Sequence, residues 1–204
     1  MGKYKYIAEG IGAFVLTLAV SFSLAGYTPF LPTPLVAGLV LGMFVLMIGP
    51  LSGAHLNPAI TLAVWATRGM GTRDAASYIL AQFIGGGIAY VVFRMLVRVV
   101  SVTIPSMPDG VIVLGEALGT FLFSLGVASV VYEKVSVSLW WRAVIVGGFL
   151  WIGGHAGATL GTGVLNPAVA FGLNMFSWMH LVGPFVGAVA GMVTVRVVSR
   201  MPLW

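Results

Sequence analysis

Six long apolar runs occupy most of this chain and restrict it to one environment. They cover residues 6–26, 34–50, 76–98, 111–132, 139–158 and 178–199. A helix needs about 20 mostly apolar residues to cross the hydrocarbon core of a bilayer, and every run except 34–50 is comfortably long. The sequence therefore predicts an all-α integral membrane protein with six transmembrane helices.

The scarcity of charged residues supports the same conclusion. Only 7% of the 204 residues are charged and 59% are hydrophobic, whereas a soluble domain carries about 25% charged residues. This composition excludes a soluble globule and an intrinsically disordered chain. Because the sequence contains no cysteine, it has no disulfide, no thiol nucleophile and no thiolate metal site.

The net charge of +5 is better explained by membrane orientation than by nucleic-acid binding. Basic residues concentrate on the cytoplasmic side of membrane proteins. If the N-terminus is cytoplasmic and the chain crosses six times, eight basic residues fall on that side and two near the outer side. We therefore expect both termini to be cytoplasmic and no nucleic-acid partner. The eight are Lys3, Lys5, Arg68, Arg73, Lys134, Arg142, Arg196 and Arg200, and the two are Arg94 and Arg98.

The sequence also repeats itself once, as residues 1–104 and 105–204. Each half holds three crossings. Because three is odd, the second half enters the membrane from the opposite side, which predicts an inverted repeat within a single channel domain. The matching segments are Glu9-x-x-Gly12 with Glu116-x-x-Gly119, Asn57-Pro58-Ala59 with Asn166-Pro167-Ala168 and, more loosely, Gln82-x-x-Gly85 with Pro184-x-x-Gly187.

Two further apolar stretches, 58–67 and 167–176, are too short to cross a bilayer. Asn is a strong N-cap and Pro fits the first helical position, so Asn57 and Asn166 each predict the start of a helix of about ten residues, roughly half the membrane thickness. The backbone before them, 52–56 and 161–165, must then be non-helical at membrane depth. Such backbone is tolerated only where protein buries it or water meets it.

These two half-helices predict a water-filled pore instead of a catalytic site. Entering from opposite faces, they bring two helix N-termini near the midplane, each carrying about +0.5 elementary charge. That arrangement opposes cations and hydrated protons but admits neutral molecules. The Asn amides can donate to a passing oxygen, and the free loop carbonyls form a ladder of acceptors. No acid–base pair, metal cluster or phosphate loop occurs at usable spacing, so we expect no enzymatic activity, metal or cofactor.

The motifs together resemble the aquaporin (major intrinsic protein) family over nearly the whole chain. The resemblance implies a passive channel for water, glycerol or other small neutral solutes, assembled as a homotetramer with one pore per subunit. It also implies that Glu9 and Glu116 support the re-entrant loops structurally by accepting hydrogen bonds. We expect His55 to brace its half-helix and Gln82 to bond to a neighbouring loop or span. The segments that carry the resemblance are 52–61, Asn166-Pro167-Ala168, Glu9, Glu116, Ala81-Gln82 and Gly183-Pro184-x-x-Gly187-Ala188.

The constriction departs from the family pattern. Most members have Arg after the second Asn-Pro-Ala, and this sequence has Val169. Counted as in the family, the other positions fall on Ala37, Gly163 and either Gly154 or His155. We favour His155, because the family often has His there and a side chain is needed to narrow the site. Small uncharged walls predict a wide, apolar constriction that passes glycerol, urea or ammonia together with water.

Three further expectations follow from the residues. The alternative function is a secondary transporter, since inverted repeats and broken helices occur there too; its only candidate buried carboxylates are Glu9 and Glu116. The short termini and loops suggest the inner membrane of a prokaryotic cell. His180, which begins the last apolar run, is expected to lie near the lipid headgroups in a plain interfacial role.

Overall fold

The computed structural model describes residues 2–97, 107–132 and 137–199. Within these ranges it contains eight helices and no strand, and six of the helices are long and apolar enough to cross a membrane, which confirms the predicted fold class. Arg98, Lys134, Arg200 and the expected boundary between the halves at 104/105 lie outside the described residues. The six are α1 (Tyr4–Leu24), α2 (Thr33–Ser52), α4 (Thr72–Leu96), α5 (Asp109–Val131), α6 (Leu139–Leu160) and α8 (Met179–Val198); the two short helices are α3 (Pro58–Ala66) and α7 (Pro167–Gly172).

The short helices begin where the Asn-Pro pairs predict, but α7 is shorter than expected. It has six residues instead of about ten, because the chain turns away at Asn174, whose φ is +58°. The amide of Met175 donates to the carbonyl of Ala170 at 2.9 Å, which closes the helix in a Schellman turn. Helix α3 ends in the same way, with Arg68 at φ +60° and Gly69 N–H bonded to the carbonyl of Val64 at 2.7 Å.

The long helices approach one another closely at glycines. A Cβ added at Gly38 or Gly147 would lie within 3.0 Å of the facing carbonyl across the α2–α6 crossing. The same holds for Gly119 and Gly153 where α5 crosses α6. Small residues at membrane helix crossings allow backbones to touch, so that dispersion contacts replace the hydrophobic effect that is missing in lipid.

Each short helix packs against a long helix of the other half. Helix α3, from the first half, lies against α8, and α7, from the second half, lies against α4. Within each half, α1 packs on α4 and α5 packs on α8. This interlocked arrangement brings the N-termini of α3 and α7 together in the interior of the helix bundle.

Candidate pore

The two half-helices meet through a reciprocal pair of hydrogen bonds. The side-chain oxygen of Asn57 accepts from Ala59 N–H at 2.8 Å, and its amide nitrogen donates to the carbonyl of Leu165 at 2.9 Å. Asn166 repeats this pattern, accepting from Ala168 N–H at 3.0 Å and donating to the carbonyl of Leu56 at 2.9 Å. An amide NH₂ has two hydrogens, so each Asn retains a second N–H for another acceptor.

The loops before the half-helices share one backbone conformation. Residues with positive φ occur at Ala54 and Leu56 in the first loop, with φ of +51° and +48°. They recur at Gly163 and Leu165 in the second, with φ of +64° and +57°. Both pairs are separated by the same 109 residues as Asn57 and Asn166. Left-handed residues in alternation turn neighbouring N–H groups to one side of the backbone, where they form a concave anion site.

Glu9 occupies this position behind the first loop. Its carboxylate is fully buried and accepts from the amides of His55 and Leu56 at 3.0 and 2.7 Å. The hydroxyl of Ser52 and the side-chain amide of Gln82 donate to it at 2.7 and 2.8 Å. Four donors therefore hold one carboxylate, and the structure places Glu9 where the sequence analysis expected a support for the loop.

Glu116 does the same for the second loop with a different set of donors. It is fully buried and accepts from the amides of Val164 and Leu165 at 2.9 and 2.7 Å. The hydroxyl of Thr162 donates to it at 2.6 Å. Pro184, which matches Gln82 in the repeat, has no side-chain donor, so this carboxylate accepts three hydrogen bonds from the described residues instead of four.

His55 and Gln82 are joined through one hydroxyl. The Nδ1 atom of His55 lies 3.1 Å from the hydroxyl of Thr61, and the Gln82 amide lies 3.0 Å from the same oxygen. Thr61 belongs to α3, so both side chains fasten the half-helix as well as the loop. The ring of Tyr78 packs edge-on against His55, and its hydroxyl donates to the carbonyl of Ser52 at 2.8 Å.

His180 lies in a different environment from the one expected of it. It is buried within the protein instead of exposed, because its ring turns inward to bond with the second loop. Its Nε2 atom lies 3.0 Å from the hydroxyl of Thr162, and its Nδ1 atom lies 2.8 Å from the hydroxyl of Ser177. The repeat contained the signal: aligning Gln82 with Pro184 also aligns Tyr78, another loop-bonded residue, with His180.

Two adjoining cavities follow the loops through the molecule. The central cavity, of about 270 Å³, is lined by both Asn57 and Asn166. The second, of about 500 Å³, which we call the vestibule, is lined by the C-terminal end of α2, the ends of α5 and α6 and Arg142. His55 and Phe123 line both cavities, so the two adjoin at these residues, and the central cavity also reaches Thr33 and Ala158.

The walls of the central cavity are polar on one side only. Among the described residues, no hydrogen-bond donor reaches the carbonyls of the loop residues that line this cavity, which are His55, Thr162, Gly163 and Val164. These carbonyls remain as the acceptors that the broken helices predict. Apolar helix faces form the opposite walls. They are Leu16, Val20 and Leu24 of α1, Ala37 and Leu41 of α2, and Leu150, Gly154 and Ala158 of α6.

The structure corrects the expectation for one constriction residue. Ala37, Gly163 and Val169 line the central cavity, and Gly154 joins them in place of His155. Helix α6 presents every fourth residue to the cavity, and His155 lies about 100° further round the helix. There it is exposed, with its ring edge-on to Trp151. A Cβ at Gly154 would lie 2.8 Å from the ring of Pro34, so α2 fills the space that a side chain would need.

Gly163 is required by its own geometry. Its φ of +64° is rare for residues with a side chain, and an added Cβ would lie 2.5 Å from the carbonyl of Gly154 and 2.7 Å from the amide of Ala158. The second loop therefore packs backbone to backbone against α6. Of the four candidate constriction positions that line the cavity, only Ala37 and Val169 therefore contribute a side chain to its wall.

Comparison with known proteins agrees with this geometry. The family model described as "Major intrinsic protein" matches residues 1–194. The probable aquaporin AqpM of Archaeoglobus fulgidus is 29% identical, covering 93% of this chain and 90% of that protein. The glycerol uptake facilitator protein-like 6 of Lactiplantibacillus plantarum is 28% identical over 96% of this chain and 98% of that protein. The X-ray structure of the aquaglyceroporin from Plasmodium falciparum superposes with a TM-score of 0.76 at 19% identity, covering 96% and 95% of the two chains.

The fold and the paired half-helices define a multi-pass membrane protein built around a central passage. The chain belongs to the major intrinsic protein family, the family that its motifs resemble. It is accordingly a passive channel, and this membership favours that function over the secondary-transporter alternative.

Proposed function

We propose that this channel passes water together with small neutral solutes such as glycerol, urea or ammonia. One observation carries the proposal: both Asn amides line a single cavity whose wall at positions 37, 154, 163 and 169 consists of small, uncharged residues. The relatives fit, since one is a probable aquaporin and another a glycerol uptake facilitator-like protein.

The chemistry of the walls accounts for the choice of solutes. Glycerol and urea carry hydrogen-bond donors that the free loop carbonyls accept, and oxygens that the second N–H of each Asn can meet. The aliphatic faces of α1, α2 and α6 exclude water from the other side of the solute. A buried ion would lose its hydration without an equivalent replacement, and the N-termini of α3 and α7 add a positive potential against cations.

The remaining features of the proposal concern assembly and placement. We propose a homotetramer in the cell inner membrane, with both termini cytoplasmic and residues 1–104 and 105–204 as the inverted halves. Exposed Trp140 and Trp141 at the start of α6 suit an interfacial belt of aromatic residues. In this orientation the vestibule opens to the cytoplasm, and the mouth beside Thr33 and Ala158 opens to the outside.

Stopped-flow light scattering on proteoliposomes tests the solute range. We expect water, glycerol and urea to pass faster than through protein-free liposomes, and Val169→Arg to reduce glycerol permeability at least about tenfold and water permeability less. The physical reason is that a guanidinium near the second half-helix fills the lumen and adds a fixed charge.

Val169→Leu is the matched control, since it adds one methylene without charge. We expect it to reduce glycerol permeability less than Val169→Arg does. Water flux without glycerol or urea flux in the unmodified channel would contradict the proposal, as would Val169→Arg leaving the glycerol-to-water ratio unchanged.

A further inference from the structure

The apolar helix wall of the central cavity ends at a single hydroxyl, that of Thr33. Thr33 is the first residue of α2 and lines the cavity at the mouth that Ala158 also borders. Of the cavity-lining residues that α1, α2 and α6 contribute within the described ranges, no other carries a side-chain hydrogen-bond donor. Ala37 follows four residues later on the same face of α2, about 6 Å along the helix axis. A solute that enters by this mouth therefore meets Thr33 before Ala37.

Two neighbouring hydroxyls decide how Thr33 uses its hydrogen. The hydroxyl of Thr28 donates to Ser23 Oγ at 2.8 Å, and Ser23 Oγ lies 2.9 Å from Thr33 Oγ1. Each hydroxyl has one hydrogen to donate. If Thr33 donated to Ser23, the Ser23 oxygen would accept twice, and the hydrogen of this buried residue would have no acceptor among the described residues. Because an unmet buried donor is costly, Ser23 donates to Thr33.

Thr33 then keeps a hydrogen that no described residue accepts. Its oxygen accepts from Ser23 on the α1 side, so its own hydrogen points away from α1, and the space that Thr33 borders is the central cavity. The other hydroxyl on the described lining, that of Thr162, donates to Glu116 at 2.6 Å and has no hydrogen left. Thr33 is therefore the hydroxyl that can donate to a solute in this cavity.

Hydrogen-bond acceptors of the second loop lie at a neighbouring level of the lumen. Pro34, next to Thr33, fills the space beside Gly154, where an added Cβ would lie 2.8 Å from the proline ring. Gly154 in turn contacts Gly163, where an added Cβ would lie 2.5 Å from the Gly154 carbonyl. The carbonyls of Gly163 and Val164 accept no hydrogen bond from the described residues and line the same cavity. A donor on α2 and acceptors on the loop thus border one stretch of the passage.

We propose that Thr33 is a specificity-determining residue that favours polyols. It donates to one oxygen of the solute while the loop carbonyls accept from the solute's own hydroxyls. The inference rests on the proposed function, since it names the chemical class of solute that this passage takes best. Each hydroxyl of a polyol both donates and accepts, so two adjacent hydroxyls of glycerol can bond to the loop and to Thr33 at the same time.

Glycerol depends on these partners more than water does. Burying a hydroxyl without a hydrogen bond is unfavourable, and glycerol excludes the waters that would otherwise lie beside it in a narrow lumen. A water molecule keeps hydrogen bonds to the waters ahead of it and behind it. Loss of one donor from the wall should therefore slow glycerol more than water.

The experiment measures glycerol and water permeability by stopped-flow light scattering on proteoliposomes that contain the full chain. Thr33→Val removes the hydroxyl and keeps the branched shape of the side chain. We expect it to lower glycerol permeability about fivefold, the factor that corresponds to one net hydrogen bond between neutral groups, and water permeability less than about twofold. Thr33→Ser keeps the donor, so its glycerol-to-water ratio should stay close to that of the unmodified channel.

Thr159→Val is the matched control, since it removes a threonine hydroxyl near the same mouth but outside the cavity lining. Thr159 is exposed at the end of α6, and its hydroxyl donates to the carbonyl of Ala156 at 2.7 Å within its own helix. We expect its glycerol-to-water ratio to equal that of the unmodified channel. If Thr33→Val does not fold, Thr33→Ala takes its place: the ratio should again fall, although the wall becomes wider.

Three results overturn the inference while the unmodified channel passes glycerol. They are an unchanged or raised glycerol-to-water ratio in the variant that lacks the Thr33 hydroxyl, an equal fall in Thr33→Ser, and an equal fall in Thr159→Val. No glycerol permeation through the unmodified channel would refute the proposed function, and the inference with it.

Discussion

Replacing Gly183 by alanine tests how tightly α5 and α8 pack beside Glu116. An added Cβ at Gly183 would lie 2.7 Å from the Cβ of Glu116 and 2.8 Å from the carbonyl of Val113. Ordinary van der Waals contact begins at 3.4 Å, so α5 and α8 must separate by about 0.7 Å at this level. Neither obstacle is the flexible end of a side chain, and the helices cannot relieve the contact by a rotamer change.

The expected cost is substantial because α5 carries the carboxylate that holds the second loop. Overpacking of this kind destabilises proteins by about 1–3 kcal/mol, and a gap of this size also weakens the dispersion contacts along the crossing. At about 2–4 °C per kcal/mol for a chain of this length, a cost of about 1–3 kcal/mol lowers the melting temperature of Gly183→Ala by about 2–12 °C. Glycerol permeability should fall with it, since Glu116 is displaced from the loop amides.

Thermal unfolding in detergent, followed by tryptophan fluorescence, checks this magnitude. Gly148→Ala is the matched control, since it lies within α6 and an added Cβ there meets nothing within 4 Å. Its melting temperature should stay within about 2 °C of the unmodified protein or rise slightly, because alanine favours helix over glycine. Equal melting temperatures for the two variants would refute the packing argument.

Two further predictions concern the second loop. Glu116→Gln replaces one accepting oxygen by an NH₂ group that must face a donor, which costs about 1–3 kcal/mol for each hydrogen bond lost, so the melting temperature and the glycerol uptake should both fall. Asp109→Asn, at an exposed site on the same helix, should change neither quantity, and equal effects of the two variants would contradict the role of Glu116 in holding the loop. Gly163→Ala places a Cβ on a residue with left-handed backbone, 2.5 Å from the carbonyl of Gly154. We therefore expect glycerol uptake by proteoliposomes to be lost. Normal uptake would contradict the close contact between the second loop and α6.

Much of the fold could be predicted because lipid leaves few alternatives. The six crossings follow from apolar length, and the half-helices follow from Asn57 and Asn166, whose side chains cap them as local chemistry requires. The length of α7 could not be read from hydrophobicity, since its end depends on the left-handed turn at Asn174. Residues after that turn are as apolar as those before it.

The pore walls were less predictable, because they depend on the rotation of one helix. A single residue separates Gly154 from His155, and hydropathy along α6 does not distinguish its inward from its outward face. The face is fixed by the contact of Gly154 with Pro34, which joins segments far apart in sequence. The bond between His180 and the second loop had only an indirect signal in the sequence, which is the alignment of His180 with Tyr78 in the repeat.

The exchange of half-helices between the two repeats has a consequence for how transport proceeds. Helix α3 packs against α8, and α7 packs against α4. Tilting one repeat away from the other would therefore break the packing of both half-helices. A carrier must make such a motion in every cycle and slows when its substrate saturates the site. In this channel the solute flux can rise in proportion to the concentration gradient, because it does not depend on a motion of one repeat against the other.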